Sequence, residues 1–276
     1  MADRRGALAA ALLLVAGCHV GAGARDLSSS RSAFFGASRC AAAHVQLCED
    51  FESGVLDPGI WTATGVTPTI DGRHAARGQR ALHVKIDGNG PSYIRETKTF
   101  PAARDTYFGR MFVYFQALPA PAPGFDYAHW TFAAASGTGV KGEVRLSGQM
   151  QGGVNRFGVG TDSLDDPAGS GDWTNADRDP GPNGAAPAVP TGQWLCIEWM
   201  HDGANNQTRF WWDAIEHPSL ATTTATPHLG HPGVPFRLPA FTNVWVGWQE
   251  YQKTSQPFEL WIDEVAIDPA RIGCVL

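Results

Sequence analysis

Residues 243–252 (NVWVGWQEYQ) alternate between apolar and polar positions with the two-residue period of a β-strand. The even positions are apolar and suit a hydrophobic core: Val244, Val246 and Trp248. The odd positions combine flat rings with hydrogen-bonding groups: Asn243, Trp245, Gly247, Gln249 and Tyr251. A protein core rarely contains that mixture, whereas a sheet that binds sugars does. The stretch therefore predicts a β-sandwich with one polar, aromatic sheet face.

Further segments with strand patterns follow along the chain, separated by turn residues. We predict strands at 81–86, 92–100, 106–115, 129–134, 142–151, 193–201, 208–213 and 258–267. The strands at 193–201 and 208–213 should form a hairpin around Asp202 and Gly203. No segment has sustained helical periodicity, and 32 glycines and 19 prolines fit a chain of many turns. We predict a single all-β domain over residues 40–276.

Two long stretches, 161–191 and 216–239, lack any regular pattern and are predicted to be binding loops or lids. The net charge is −6, and no run of Lys or Arg provides a surface for nucleic acid. We therefore expect no nucleic-acid partner.

The N-terminus has the features of an export signal. Arg4 and Arg5 precede the apolar run 7–16, which is too short to span a bilayer as a mature helix. The run leads into Leu14-Val15-Ala16-Gly17-Cys18, which resembles the lipobox of bacterial lipoproteins. We interpret 1–18 as a lipoprotein-type signal peptide with Cys18 as the lipidated residue, and 19–39 as a flexible tether. The alternative is an ordinary cleaved signal in which Cys18 is incidental.

Export predicts disulfide bonds between the remaining cysteines, Cys40, Cys48, Cys196 and Cys274. Four cysteines allow three pairings, and the sequence does not choose among them. We favour Cys40–Cys48 and Cys196–Cys274. The spacing does not match a CxxC motif, which argues against a redox site or a zinc ribbon.

Several short motifs near the two ends of the predicted domain resemble a known group of proteins. The motifs are Glu49-Asp50-Phe51-Glu52, Trp61, Trp194-x-Cys196-x-Glu198, Ile262-Asp263-Glu264-Val265 and Ile272-Gly273-Cys274. Over roughly residues 46–276 the chain resembles concanavalin-like jelly-roll proteins related to glucuronan and alginate lyases. The resemblance implies a concanavalin-like jelly-roll β-sandwich whose first and last strands lie side by side.

The same resemblance implies a structural calcium ion near these two strands. Glu52 and Asp263 match the positions of its carboxylate ligands, and backbone carbonyls would complete an oxygen shell. The alternative is that both carboxylates only flank turns.

The chain lacks the motifs of several common enzyme classes. It contains no Gly-x-Ser-x-Gly, no HExxH and no nucleotide-binding loop. A retaining glycosidase needs two carboxyl groups about 5 Å apart, and the candidates Glu143, Glu198 and Glu250 lie on different predicted strands. A polysaccharide lyase needs other groups. One neutralises a uronic-acid carboxylate, and others serve as base for the C5 proton and acid for the leaving oxygen.

The resemblance implies that neighbouring strands of one sheet supply these groups. It points to Tyr251 as the acid/base, His129 as its partner, and Arg95 with Gln149 as the groups that neutralise the carboxylate. The predicted substrate-binding residues are Trp245, Gln249, Arg145 and Trp211, with the two indoles as stacking platforms for sugar rings. The alternative for each of these residues is a structural role in packing or hydrogen bonding.

We therefore expect an exported, lipid-anchored polysaccharide lyase that cleaves a uronic-acid polymer by β-elimination. Its partners would be a polysaccharide and, through the lipid alone, a membrane. The alternatives are a carbohydrate-binding lipoprotein without catalytic activity and a structural protein of the cell envelope.

Overall fold

The structure is a computed structural model that describes residues 31–98, 100, 106–163, 173–174, 184–224, 237–255 and 257–276. Within these residues the regular elements are strands and short 3₁₀ turns. The strands are β1 (Leu47–Glu49), β2 (Trp61–Gly65), β3 (Thr69–Asp71), β4 (Ala81–Ile86), β5 (Gly90–Glu96), β6 (Thr106–Ala117), β7 (Tyr127–Thr138), β8 (Gly142–Gln151), β9 (Val154–Ser163), β10 (Trp173–Thr174), β11 (Trp194–Asp202), β12 (Gln207–Trp212), β13 (Ile215–Glu216), β14 (Thr222–Thr223), β15 (Ala240–Glu250) and β16 (Phe258–Asp268). The 3₁₀ turns are Arg31–Phe34, Cys40–Ala42 and Pro218–Leu220.

The strands form two antiparallel sheets. One has the order β13-β12-β11-β6-β16-β4-β3, with β1 beside β16 and β14 beside β12. The other has the order β10-β9-β8-β7-β15-β5-β2 and is called here the groove sheet. All nine predicted strands are present, with small shifts at their ends, and the turn after Asp202 joins β11 to β12 as predicted. The prediction of an all-β sandwich is confirmed.

Strand β9 is not among the predicted strands, and its last residues fall in the predicted loop 161–191. β9 follows β8 across a two-residue turn of Gly152 and Gly153, whose φ angles are 60° and 85°. Such a pair of left-handed residues is the standard connection of a tight hairpin. Two glycines within the strand, Gly158 and Gly160, weaken the strand pattern. The rest of the predicted loop 161–191 lies largely outside the described residues, as does much of 216–239.

The core lies between the two sheets and contains the even-numbered residues of the opening strand pattern. Val244, Val246 and Trp248 are buried as predicted. Trp248 stacks on Trp130 with ring centroids 4.8 Å apart and also packs against Phe258. Burying apolar surface of this kind is the main contribution to the stability of such a fold.

The two ends of the domain meet in the first sheet, as the resemblance implied. β1 pairs with β16, with Glu49 opposite Val265. Both favoured disulfides are present, Cys40–Cys48 and Cys196–Cys274. The second disulfide ties β11 to a residue beyond β16 across 78 positions of sequence.

The ordered packing begins before the predicted start at residue 40. Phe34 is buried, its carbonyl oxygen accepts a hydrogen bond from Arg77 Nε at 2.6 Å, and Gly36 O accepts one from Gly78 N at 2.8 Å. Residues 31–39, which we assigned to the tether, therefore pack against the domain. The apolar Phe34 and Phe35 supply the reason, because both contact the small cluster around the Cys196–Cys274 disulfide. The predicted signal peptide 1–18, with Cys18, lies outside the described residues.

Helices capable of crossing a membrane are absent from the described part of the chain.

Candidate functional site

The outer face of the groove sheet brings together side chains from four adjacent strands. The cross-strand pairs place His129 of β7 opposite Gln149 of β8, and Thr131 opposite both Ser147 of β8 and Gln249 of β15. Ala134 of β7 lies between Arg145 and Trp245, and Trp245 lies opposite Arg95 of β5. Seven of the eight predicted catalytic and substrate-binding residues therefore share this face, since Tyr251 directly follows β15 and contacts His129 and Arg145. We call this face the groove face.

Tyr251 lies at the centre of the closest cluster. Its ring stacks on the imidazole of His129, with centroids 4.3 Å apart and planes 7° apart. The guanidinium carbon of Arg145 lies 5.3 Å from the centroid of the same ring. The Tyr251 hydroxyl donates to Thr131 Oγ1 at 3.4 Å. The phenol thus reaches back over the sheet, between a neutral ring and a cation.

Two hydrogen bonds with Gln252 hold His129. Gln252 Oε1 accepts from the His129 backbone N–H at 2.7 Å, and the Gln252 amide lies 3.0 Å from Nδ1. Burial, together with the nearby charge of Arg145, lowers the pKa of His129 to about 4. The imidazole is therefore neutral at physiological pH, which is the form that can accept a proton.

Arg145, predicted as a substrate-binding residue, is the cation that contacts Tyr251. Its Nε donates to Glu143 Oε1 at 2.7 Å, and Glu143 Oε2 accepts from Trp245 Nε1 at 3.4 Å. Glu143 thus fixes Arg145 and Trp245 relative to each other.

Arg95 shares the groove face but contacts another residue. Its Nη2 donates to the Tyr93 hydroxyl at 3.2 Å, and its guanidinium lies over the Tyr93 ring. Arg95 and Arg145 both lie at the level of the Ala134–Trp245 pair, so strand register does not distinguish them. The direction of the side chain does, because the guanidinium of Arg145 reaches the Tyr251 ring and that of Arg95 lies over Tyr93. Arg145, rather than Arg95, is therefore the arginine that contacts Tyr251.

Neither indole predicted as a sugar platform has an open ring face. Trp245 is 2% exposed because the Tyr93 ring stacks on it with centroids 4.4 Å apart. Gly247 permits this arrangement, since a Cβ there would lie 2.5 Å from the Tyr93 Cα. Trp211 lies in β12 of the other sheet, is buried, and packs under the guanidinium of Arg271.

The three glutamates considered for a hydrolase do not converge. Glu143 lies on the groove face beside Arg145. Glu198 lies in β11 of the other sheet and binds Arg271 at 2.8 Å. Glu250 is buried, and burial raises its pKa to about 8 although Trp248 and the Tyr251 backbone lie close enough to oppose the shift. These three residues therefore supply no pair of carboxyl groups at retaining-glycosidase spacing.

The predicted calcium ligands, Glu52 and Asp263, both bind the loop 76–80. Asp263 Oδ2 accepts from the N–H groups of Ala76 and Arg77 at 2.8 and 2.9 Å. Glu52 Oε1 accepts from the N–H groups of residues 79 and 80, each at 2.8 Å. N–H donors compete with a cation for these oxygens, so calcium would have to share or displace the bonds. Groups of three or more His, Cys, Asp or Glu side chains suited to a metal are absent from the part of the chain that the structure describes.

Calcium binding at Glu52 and Asp263 stays a prediction. If the ion is bound, a chelator should lower the melting temperature and added calcium should restore it, because a ligand of the folded state stabilises it by mass action. The matched control is Glu52→Gln, which should melt at a lower temperature and lose the response to chelator. A melting temperature of the unmodified protein that does not change with chelator would contradict the prediction.

Three contributors to the site are not among the predicted site residues. Glu143 was considered only for a hydrolase, although strand alternation puts it on one face with Arg145. Tyr93 shares its face with Arg95 by the same alternation. Gln252 lies beyond the end of β15, where no periodic pattern reports its contact with His129.

The class defined by this fold is the jelly-roll β-sandwich, and solved structures with the same architecture match the chain. One is a cellulose-induced protein, Cip1, with a TM-score of 0.56 and 19% sequence identity over 83% of this chain and 99% of that chain. The fold that the resemblance implied is therefore confirmed. At this identity the likeness concerns the fold alone.

Two alginate lyases also match, at lower scores. The alginate lyase AlyC3 has a TM-score of 0.45 and 11% identity over 68% of this chain and 74% of that chain. The PL7 alginate lyase AlyA1 from Zobellia galactanivorans has a TM-score of 0.47 and 9% identity over 79% of this chain and 99% of that chain. Scores this low carry no argument about this chain. No protein-family model matches the sequence, and no curated protein matches it.

Proposed function

We propose that this protein is an exported polysaccharide lyase that cleaves a polymer containing uronic acid by β-elimination. The observation that supports the proposal is the contact set of Tyr251, whose phenol lies between the neutral imidazole of His129 and the guanidinium of Arg145. These are the three kinds of group that the reaction needs, and they meet on a polar sheet face.

The reaction assigns a task to each group. Arg145 and Gln149 bind the carboxylate of the uronic acid, which makes the charge that develops after proton loss tolerable. The base removes the C5 proton, the electron pair forms the C4–C5 double bond, and the C4–O bond breaks. Tyr251 donates a proton to the leaving oxygen, and His129 in its neutral form is the candidate base. The products are a new reducing end and an unsaturated, ultraviolet-absorbing end.

The experiment that tests the proposal is incubation of the protein with polyglucuronate and with alginate, followed by absorbance. A rise in near-ultraviolet absorbance demonstrates new unsaturated ends. Binding of either polymer without such a rise would favour the alternative, a carbohydrate-binding protein without catalytic activity. That alternative has structural support of its own, because the Tyr251 hydroxyl bonds to Thr131 and its ring is covered by His129.

We further propose that the protein is held at a membrane surface by a lipid on Cys18. The support is the lipobox-like sequence 14–18, together with two disulfides of the kind that persist in oxidising compartments outside the cytoplasm. A Cys18→Ser variant should leave the membrane fraction and appear in the soluble one. Unchanged membrane association of that variant would contradict lipid anchoring.

A further inference from the structure

The groove face continues past His129 to an exposed aromatic rim. Tyr127 lies two residues before His129 in β7 and opposite Gln151 of β8, so strand alternation puts it on the same face. Two residues of strand separate the levels of Tyr127 and His129 by about 7 Å. Tyr127 is 40% exposed and Phe125, just before the strand, is 47% exposed. Within the described residues, these are the large aromatic side chains with the most open surface.

The rim is attached to the segment that carries Tyr251. Ala122 N donates to Lys253 O at 3.0 Å, and Ser255 N donates to Ala120 O at 3.0 Å. Phe125 N donates to Ala122 O at 3.0 Å and closes the turn. These bonds fix the turn before β7 relative to the residues after Tyr251. A surface held in place before binding loses less entropy when a ligand orders on it.

The chemistry of the rim suits a sugar ring, with the carboxylate of Asp126 and the cation of Lys253 both exposed nearby. An exposed aromatic ring offers an apolar face against which a pyranose ring can lie. Lys253, also exposed, follows Tyr251 by two residues and supplies a cation at the same end of the groove. The stacking role that the sequence assigned to Trp245 and Trp211 is closed to both because they are buried.

We propose that Phe125 and Tyr127 form a stacking subsite for one uronic-acid ring of a bound chain, next to the ring on which Tyr251 acts. The subsite rests on the proposed function, because it extends the same groove. It binds substrate rather than reacting with it. Oligomers long enough to fill both positions should therefore gain affinity that a shorter oligomer does not.

The test uses glucuronate and mannuronate oligomers of two to six residues, with calorimetry in a Tyr251→Phe background and steady-state kinetics in the wild-type background. Tyr127→Ala and Phe125→Ala should each weaken binding of the longer oligomers by about tenfold, raising KM with little change in kcat. Tyr127→Phe keeps the ring and should bind like the parent. The matched control is Ile215→Ala, since Ile215 is 67% exposed but lies in β13 of the other sheet.

The outcomes separate the subsite from the lyase proposal. Binding that depends on Tyr127, with no unsaturated ends formed by the wild-type protein, supports the subsite and overturns the lyase. Unsaturated ends formed with KM unchanged by both alanine variants overturn the subsite and support the lyase. Equal losses in Tyr127→Phe and Tyr127→Ala overturn stacking as the mode of binding. A wild-type protein that binds no oligomer overturns both proposals.

Discussion

Replacing Tyr251 by phenylalanine should lower the rate at which unsaturated ends form by about 10²–10⁴-fold, which is the range for loss of one general acid or base. Polysaccharide binding should remain, because the ring and its stacking on His129 are kept. The change removes only the hydroxyl, which donates a long hydrogen bond of 3.4 Å to Thr131 Oγ1. The measurements are near-ultraviolet absorbance for cleavage and calorimetry for binding.

A second tyrosine provides the control for this substitution. Tyr114 is half-buried in β6 of the other sheet, where its ring stacks on His74 with centroids 4.3 Å apart. Tyr114→Phe removes the same atom far from the groove face and should leave the cleavage rate unchanged. If the cleavage rate falls equally in both variants, the Tyr251 hydroxyl affects the stability of the fold rather than the reaction. Full activity of Tyr251→Phe would remove Tyr251 from the mechanism.

The dependence of kcat/KM on pH tests the roles assigned to the groups around Tyr251 in a second way. If neutral His129 is the base, kcat/KM should fall on the acid side with a midpoint near pH 4, the value to which burial and Arg145 lower its pKa. Arg145→Gln removes one of these causes and should move the midpoint upward. If the midpoint of the fall in kcat/KM at low pH is the same in this variant, a group other than His129 is the base.

The depressed pKa of His129 also affects stability, with a definite sign. Between pH 4 and about 6.5, the unfolded state binds a proton at this residue and the folded state does not. The stabilisation that comes from keeping this imidazole neutral is therefore complete above about pH 6.5. The free energy of unfolding decreases as the pH falls from there towards 4.

The groove face could be predicted where it depends on strand alternation alone. The two-residue period assigned Val244, Val246 and Trp248 to the core and Gln249 to the opposite face, and the burial of each agrees. Antiparallel pairing then brings residues of different strands to one face without any further information. Most of the candidate site is of this kind.

The parts that could not be predicted depend on contacts across the sheet. Alternation cannot show that Tyr93 covers Trp245, because the stacking depends on which residue of β5 lies opposite Gly247. Nor can it show that Arg145 rather than Arg95 reaches Tyr251, since the direction of a long side chain decides that contact. Alternation therefore predicts which residues share the face, whereas the distances between them depend on the three-dimensional pairing.

The contacts of the end motif Ile262-Asp263-Glu264-Val265 also could not be predicted from a sequence pattern. The resemblance directed attention to Asp263 as a calcium ligand. In the structure its neighbour Glu264 is also fully buried, and its Oε2 accepts hydrogen bonds from both Arg77 and Arg110. Burial lowers the pKa of Arg110 to about 10, and the charge of Glu264 opposes that decrease. A buried cluster of two cations and one carboxylate is not visible as a sequence pattern.

Replacing Glu264 by glutamine should therefore destabilise the fold strongly. The substitution preserves shape but removes the negative charge that two buried guanidinium groups share, while both keep a hydrogen bond to Leu276 O. Loss of one charged partner from a buried pair costs about 3–5 kcal/mol. The pair Arg209–Glu216 is the matched control, because its charged groups lie 3.5 Å apart while the two side chains are 48% and 38% exposed. Glu216→Gln makes the same chemical change at the surface and should cost less than about 1 kcal/mol.

Urea unfolding of both variants with the disulfides intact measures the two losses directly. The expected result is a large decrease in the midpoint for Glu264→Gln and almost none for Glu216→Gln, with similar slopes. Near-equal midpoints would mean that other partners satisfy the guanidinium groups of Arg77 and Arg110. Leu276 O already accepts from both, and Cys274 O and Phe34 O accept from Arg77. In that case the link between β16 and the loop 76–80 would rest on the bonds of Asp263 to the backbone, and Asp263→Asn would become the more damaging change.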